Sequence, residues 1–96
     1  MRKKYKIARI LHSGRKGIRG TEVTNPKYDD VLGCIGWLDA DQVEQFKRYR
    51  IHLVDSRTID WWNVSEVLAL TEDRNTGNIE LETANSLYEL EEIHDE

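Results

Sequence analysis

Apolar and polar side chains alternate with a period of two in several short runs of this chain, the pattern of strands that bury one face. Tyr5, Ile7 and Arg9 alternate with Lys6, Ala8 and Ile10, and Leu11 closes the run; this predicts a strand over 4–11 with a mainly apolar inner face. Val31 to Leu38 is apolar on both sides and predicts a second strand, with Gly33 and Gly36 marking sharp bending or close backbone approach. Ile51 and Leu53 alternate with His52 and Val54 in a strand over 50–54, and Asp55-Ser56-Arg57 is a turn. Trp61-Trp62 leads through Asn63-Val64-Ser65 into a strand over 66–71, and Asp73 to Gly77 reads as a hairpin loop. The last two strands are expected over 78–83 and 86–91.

The final hairpin specifies its own register. A two-residue loop at Ala84-Asn85 pairs Thr83 with Ser86, so Leu81 faces Tyr88 and Ile79 faces Leu90, all four apolar side chains falling on one face. The same register sets Glu80 opposite Glu89, a like-charge pair that costs roughly 0.2–1 kcal/mol, with Glu82 and Glu91 on the same outer face.

Between the first two strands the chain is irregular. Ser13 to Gly20 holds three glycines in eight residues, and Pro26 bars a central strand. Asp39-Ala40-Asp41-Gln42 resembles a helix start, an Asp N-cap with Gln three residues on, and predicts a short helix over 40–47 with Val43 and Phe46 on one face. The fold expected is mainly β: a small five-stranded SH3-like barrel with a long first loop and one short helix.

At 96 residues the chain suits a single domain, 1–96, with one modest core. No apolar run approaches the roughly 18 residues of a spanning helix. Lys6 and Arg9 interrupt the apolar stretch after the basic start Met1-Arg2-Lys3-Lys4, breaking any signal-peptide core; a cytoplasmic location and no membrane partner are expected. The net charge of −4 conceals an asymmetry: residues 1–50 carry 12 Lys+Arg against 6 Asp+Glu, and residues 51–96 carry 2 against 12. Either the halves pair within the fold, the first strand with Lys4, Lys6 and Arg9 lying beside the acidic last strand, or they form two patches for different partners.

Candidate chemistry is sparse. Cys34, the one cysteine, sits among apolar residues and reads as a small buried hydrophobe without a base partner. His12, His52 and His94 lack metal-site spacing. No Ser-His-Asp or paired-carboxylate arrangement stands out, so neither catalysis, a cofactor nor a metal is expected. The glycine-rich loop carries Arg15, Lys16 and Arg19 without a P-loop motif; freed backbone amides and three cations suit phosphate, or the loop is simply solvated. Trp61 and Trp62 point to opposite faces if they lie in a strand, one to the core and one partly exposed as an anchor or stacking platform. Trp37 is expected in the core.

The segment Thr83-Ala84-Asn85-Ser86-Leu87-Tyr88-Glu89-Leu90, with Trp62 to Ser65 and the strand after it, resembles the C-terminal hairpin of small phage and bacterial accessory proteins with an SH3-like barrel. The resemblance covers about the last thirty residues and implies an accessory protein, phage-encoded, that acts by binding; some small acidic phage proteins inhibit host defence enzymes. Two functions are expected from the residues and this resemblance together. One is a non-catalytic regulator or inhibitor docking on a basic or nucleic-acid-binding host protein through Glu80, Glu82, Glu89, Glu91, Trp61 and Trp62. The alternative is nucleic-acid or nucleotide binding through Arg15, Lys16 and Arg19, with a tryptophan for stacking.

Overall fold

The computed structural model of the chain describes residues 2–14 and 17–94. Seven antiparallel strands form one sheet: β1 (Arg2–His12), β2 (Ile35–Asp39), β3 (Tyr49–Leu53), β4 (Trp61–Val64), β5 (Val67–Glu72), β6 (Ile79–Thr83) and β7 (Ser86–Glu92). Their order is β4-β3-β2-β1-β7-β6-β5. β4 and β5 are consecutive in sequence, separated only by Ser65 and Glu66, yet they are the two edges of the sheet. Three residue steps reach at most about 11 Å, so the edges meet at that corner and the sheet curls around one face. The edges do not pair, and the sheet is not closed. At the seam the Phe46 amide donates to the Val67 carbonyl (2.6 Å), and the Val67 amide to the Lys47 carbonyl (3.0 Å).

The five-stranded barrel expected is instead an open, curled sheet of seven strands among the described residues, one more than the six runs read from the pattern. The Trp61-Trp62 segment, expected as a lead-in, is itself a strand, with His52 opposite Trp61 and Ile51 opposite Trp62. β2 starts at Ile35 rather than at Val31, because residues 31–34 form turns with Gly33 in the left-handed region (φ +85°). The helix expected over 40–47 is one 3-10 turn, Ala40–Gln42. Its N-cap is as predicted, the Asp39 side chain accepting from the Asp41 amide (3.0 Å). Val43 then returns to extended backbone, and Phe46 adopts φ +66° and is 64% exposed, so no apolar helical face exists.

The concave side holds the core. Tyr5, Ile7 and Ile10 of β1 pack with Leu38, Ile51, Leu53, Val64, Val67, Ile79, Leu81, Tyr88 and Leu90. The long connection after β1 supplies Tyr28, from a 3-10 turn at Pro26–Tyr28, and Val31, both buried in the same cluster. Strict alternation in β1 would put Arg9 on this face with Tyr5 and Ile7. A β-bulge prevents it: Ile7 pairs with Leu90 and Arg9 with Glu89, leaving Ala8 as the extra residue. Arg9 is thereby turned outward and Ile10 inward. The final hairpin has the expected register, Ile79 opposite Leu90, Glu80 opposite Glu89 and Leu81 opposite Tyr88. Its turn is tied by buried polar groups: Thr83 Oγ1 donates to the Ser86 carbonyl (2.8 Å) and accepts from the Ser86 amide (3.0 Å), and Ser86 Oγ meets Tyr28 OH (3.1 Å).

Candidate functional site

Because the core occupies the concave side, the exposed side chains of the sheet lie on the outward face. Strand order divides that face into two electrostatic halves, acidic over β5–β7 and basic and aromatic over β1–β4.

β1 and β7 do lie side by side, as the charge asymmetry predicts. Lys6 stands opposite Glu91 and Arg9 opposite Glu89. Arg9 bridges Glu89 (3.6 Å) and Glu22 (3.7 Å), and Lys3 reaches Glu92 (3.2 Å). Glu82 is held by both terminal nitrogens of Arg19 (2.8 and 3.0 Å), whose side chain comes from the glycine-rich loop. Two of the four candidate carboxylates, Glu82 and Glu89, are thus engaged within the chain. Glu80 and Glu91 have no ion-pair partner among the described residues, and they line a groove of about 500 Å³ with Thr71, Asp73, Asn78 and Glu89. Arg15 and Lys16 lie outside the described residues, so of the three candidate cations only Arg19 is located, and it is committed to Glu82.

The two adjacent tryptophans part as alternation requires. Trp62 is half-buried, donates from Nε1 to Tyr88 OH (3.0 Å) and meets Tyr28 edge-on at 5.5 Å. It belongs to the core lining. Trp61 is 49% exposed on edge strand β4, four strands from β7. The four glutamates and the two tryptophans are therefore not one surface.

What Trp61 joins is a row that crosses the other half. The registers place Lys4, Trp37, His52 and Trp61 side by side on β1, β2, β3 and β4. At the usual spacing of about 4.8 Å between strands, the row is roughly 15 Å long. The His52 and Trp61 rings stack with centroids 4.5 Å apart and planes 24° from parallel. The Arg2 guanidinium lies 4.6 Å, and the Lys4 ammonium 5.5 Å, from the Trp37 ring centre. Arg50 stands 5.5 Å over Trp61 while its Nε donates to Asn63 Oδ1 (3.0 Å). Arg2, Trp37, Arg48, Arg50, His52 and Trp61 line a groove of about 410 Å³ that also touches Asp39, Gln42 and Tyr49. Trp37, expected in the core, is outward because Gly36 and Leu38 take the inward positions of β2.

This row was missed in the sequence, although part of its signal was there. Ile51 and Leu53 inward put Arg50 and His52 outward by parity alone. The facing of Trp37 needed the choice between the two apolar sides of β2. Bringing Arg2, Lys4, Trp37, His52 and Trp61 together needed the strand order.

Cys34 is half-buried and donates from Sγ to the Asp30 carbonyl (3.2 Å); burial, then Asp55 and Asp30, push its thiol pKa up, against nucleophilic use. Among the described residues no group of three or more His, Cys, Asp or Glu side chains is placed to hold a metal, and no helix is long and apolar enough to cross a membrane. Comparison with protein-family models, with curated proteins and with solved structures finds no match to this chain.

Proposed function

We propose that this chain is a non-catalytic module that binds nucleic acid through the outward face of β1–β4. The observation that carries this reading is the aromatic row Trp37–His52–Trp61 set among Arg2, Lys4, Arg48 and Arg50. Cations that neutralise phosphates gain affinity by releasing counterions, and aromatic rings add sequence-tolerant contact with bases. The carboxylates of β6 and β7 repel a polyanion and confine it to the other half. The class is the one the glycine-rich loop raised, but the residues are different.

The test is binding of labelled oligonucleotides over a salt series. Affinity is expected to fall steeply between about 50 and 200 mM salt, and the double variant R48E/R50E is expected to abolish binding while its thermal melt stays cooperative. Absence of binding at low salt, or binding indifferent to the double reversal, would overturn the reading.

A second reading retains the acidic groove, favoured by the two carboxylates, Glu80 and Glu91, that make no contact ion pair among the described residues. It makes the chain an accessory protein docking on a basic host protein. E80Q/E91Q would then lose capture of that partner with folding stability unchanged.

A further inference from the structure

Resting on the nucleic-acid reading above, we infer that the ligand is single-stranded and that one of its bases stacks on Trp61, the terminal ring of the row. Trp61 differs from Trp37 in what already covers it. Trp37 is half-buried, with Arg2 and Lys4 over its ring at 4.6 and 5.5 Å. Trp61 is 49% exposed, and its two close contacts, His52 stacked at 4.5 Å and Arg50 at 5.5 Å, both come from β3. β4 is the edge of the sheet among the described residues, and about half of the Trp61 surface is exposed there. His52 and Arg50 fix the ring before any ligand arrives, and a pre-ordered platform loses little side-chain freedom on binding.

The open ring selects among nucleic acids by what each can present. Bases in a duplex are stacked on their neighbours and offer no face to a ring on a convex surface. An unpaired base does, whichever of the four it is. Phosphates on either side of that base fall over the row, where Arg2 and Lys4 on β1 stand two strand spacings, about 10 Å, from Arg50 on β3, and Arg48 lines the same groove. The duplex keeps the phosphate contacts and loses the stack. The preference for single strands therefore resides in Trp61, and the salt dependence in the cations.

The full chain is titrated with fluorescent oligothymidylate, with oligouridylate of equal length and with a matched DNA duplex. Either single strand is expected to bind at least about ten-fold tighter than the duplex, and W61L to remove about ten-fold or more from single-strand affinity. The duplex affinity and the slope of log K against log salt stay unchanged in W61L. W61F, which keeps a ring, retains most of the affinity and separates stacking from any local repacking. The two single-stranded arms distinguish a DNA from an RNA ligand. If single strands and duplex bind equally and W61L changes neither, the stacking inference fails while nucleic-acid binding stands. If no oligonucleotide binds at low salt, both fail.

Discussion

Gly36 shows how one residue sets the path of the sheet. A Cβ at this inward position of β2 would lie 2.5 Å from Ile51 Cγ2 and 3.2 Å from the His52 carbonyl oxygen. G36A therefore overpacks the β2–β3 interface, with an expected loss of about 1–3 kcal/mol by urea denaturation; unchanged stability would mean that β3 moves aside freely. Tyr88 gives a second prediction at this scale. Its hydroxyl accepts from Trp62 Nε1 and its ring is buried. Burial pushes its phenol up to about 12, against the opposing pull of the Trp62 N–H. The unfolded phenol ionises near 10, so the folded state keeps a proton that the unfolded state has lost. The stabilisation is complete below pH 10 and is lost as pH rises from about 10 to about 12. Y88F is expected to flatten part of that decline in thermal melts taken across this window. Tyr5, also pushed up to about 12, by burial and then by Glu92 and Glu72, keeps its own share. Parity told that Trp61 and Trp62 face opposite ways; only the packing of Tyr28 and Tyr88 decides which of them is inside.

Among the elements, the last hairpin was legible because its two-residue loop leaves one register that puts Ile79, Leu81, Tyr88 and Leu90 together. Hairpins fold their pattern back on themselves, so the sequence carries its own check. The segment 40–47 had no such check: a good N-cap at Asp39 opens a turn, but one apolar pair cannot sustain a helix, and the Phe46–Val67 and Val67–Lys47 backbone bonds pull the chain into the seam. The bulge at Ala8 was invisible for a different reason. Read as uninterrupted alternation, residues 4–11 put Arg9 inward, and only pairing with β7 exposes the extra residue. Removing it leaves Tyr5-Lys6-Ile7-Arg9-Ile10, a regular alternation with Arg9 outward. Deletion of Ala8 is therefore expected to preserve a cooperative fold. Deletion of Lys6, which inverts every position on one side of it, abolishes the fold. Circular dichroism melts of the two deletions test this, and an unfolded Ala8 deletion would show that the bulge's twist, and not only its register, is required.

Across the whole molecule, charge and topology act together. The sequence showed a basic half and an acidic half and left open whether they meet or face different partners. The strand order brings the halves together at β1 and β7 and still leaves each its own stretch of the outward face. β1 is the boundary: Arg9 and Lys3 serve the carboxylates of β7, while Arg2 and Lys4 serve Trp37 on β2. That arrangement depends on which strands are neighbours, a long-range property that local periodicity does not encode, and so the site was less readable than the strands that carry it. On the nucleic-acid reading proposed above, it also limits how far a bound strand would run. A polyanion lying on β1–β4 meets Glu91 and then Glu80 as it passes beyond Lys6 and Arg9, and repulsion stops it there. Replacing both carboxylates by lysine removes the barrier and extends the cationic track over the groove by Thr71 and Asn78. For single strands each added phosphate contact steepens the slope of log K against log salt by about 0.7, so E80K/E91K is expected to raise it by up to about 1.4 over the parent chain. E80K relieves the Glu80–Glu89 opposition in the hairpin while E91K sets a lysine opposite Lys6, so the two changes offset and the variant is expected to melt close to the parent. A steeper slope with a cooperative melt close to the parent's places the end of the binding track at β7; an unchanged slope means that the strand leaves the surface before it crosses β1.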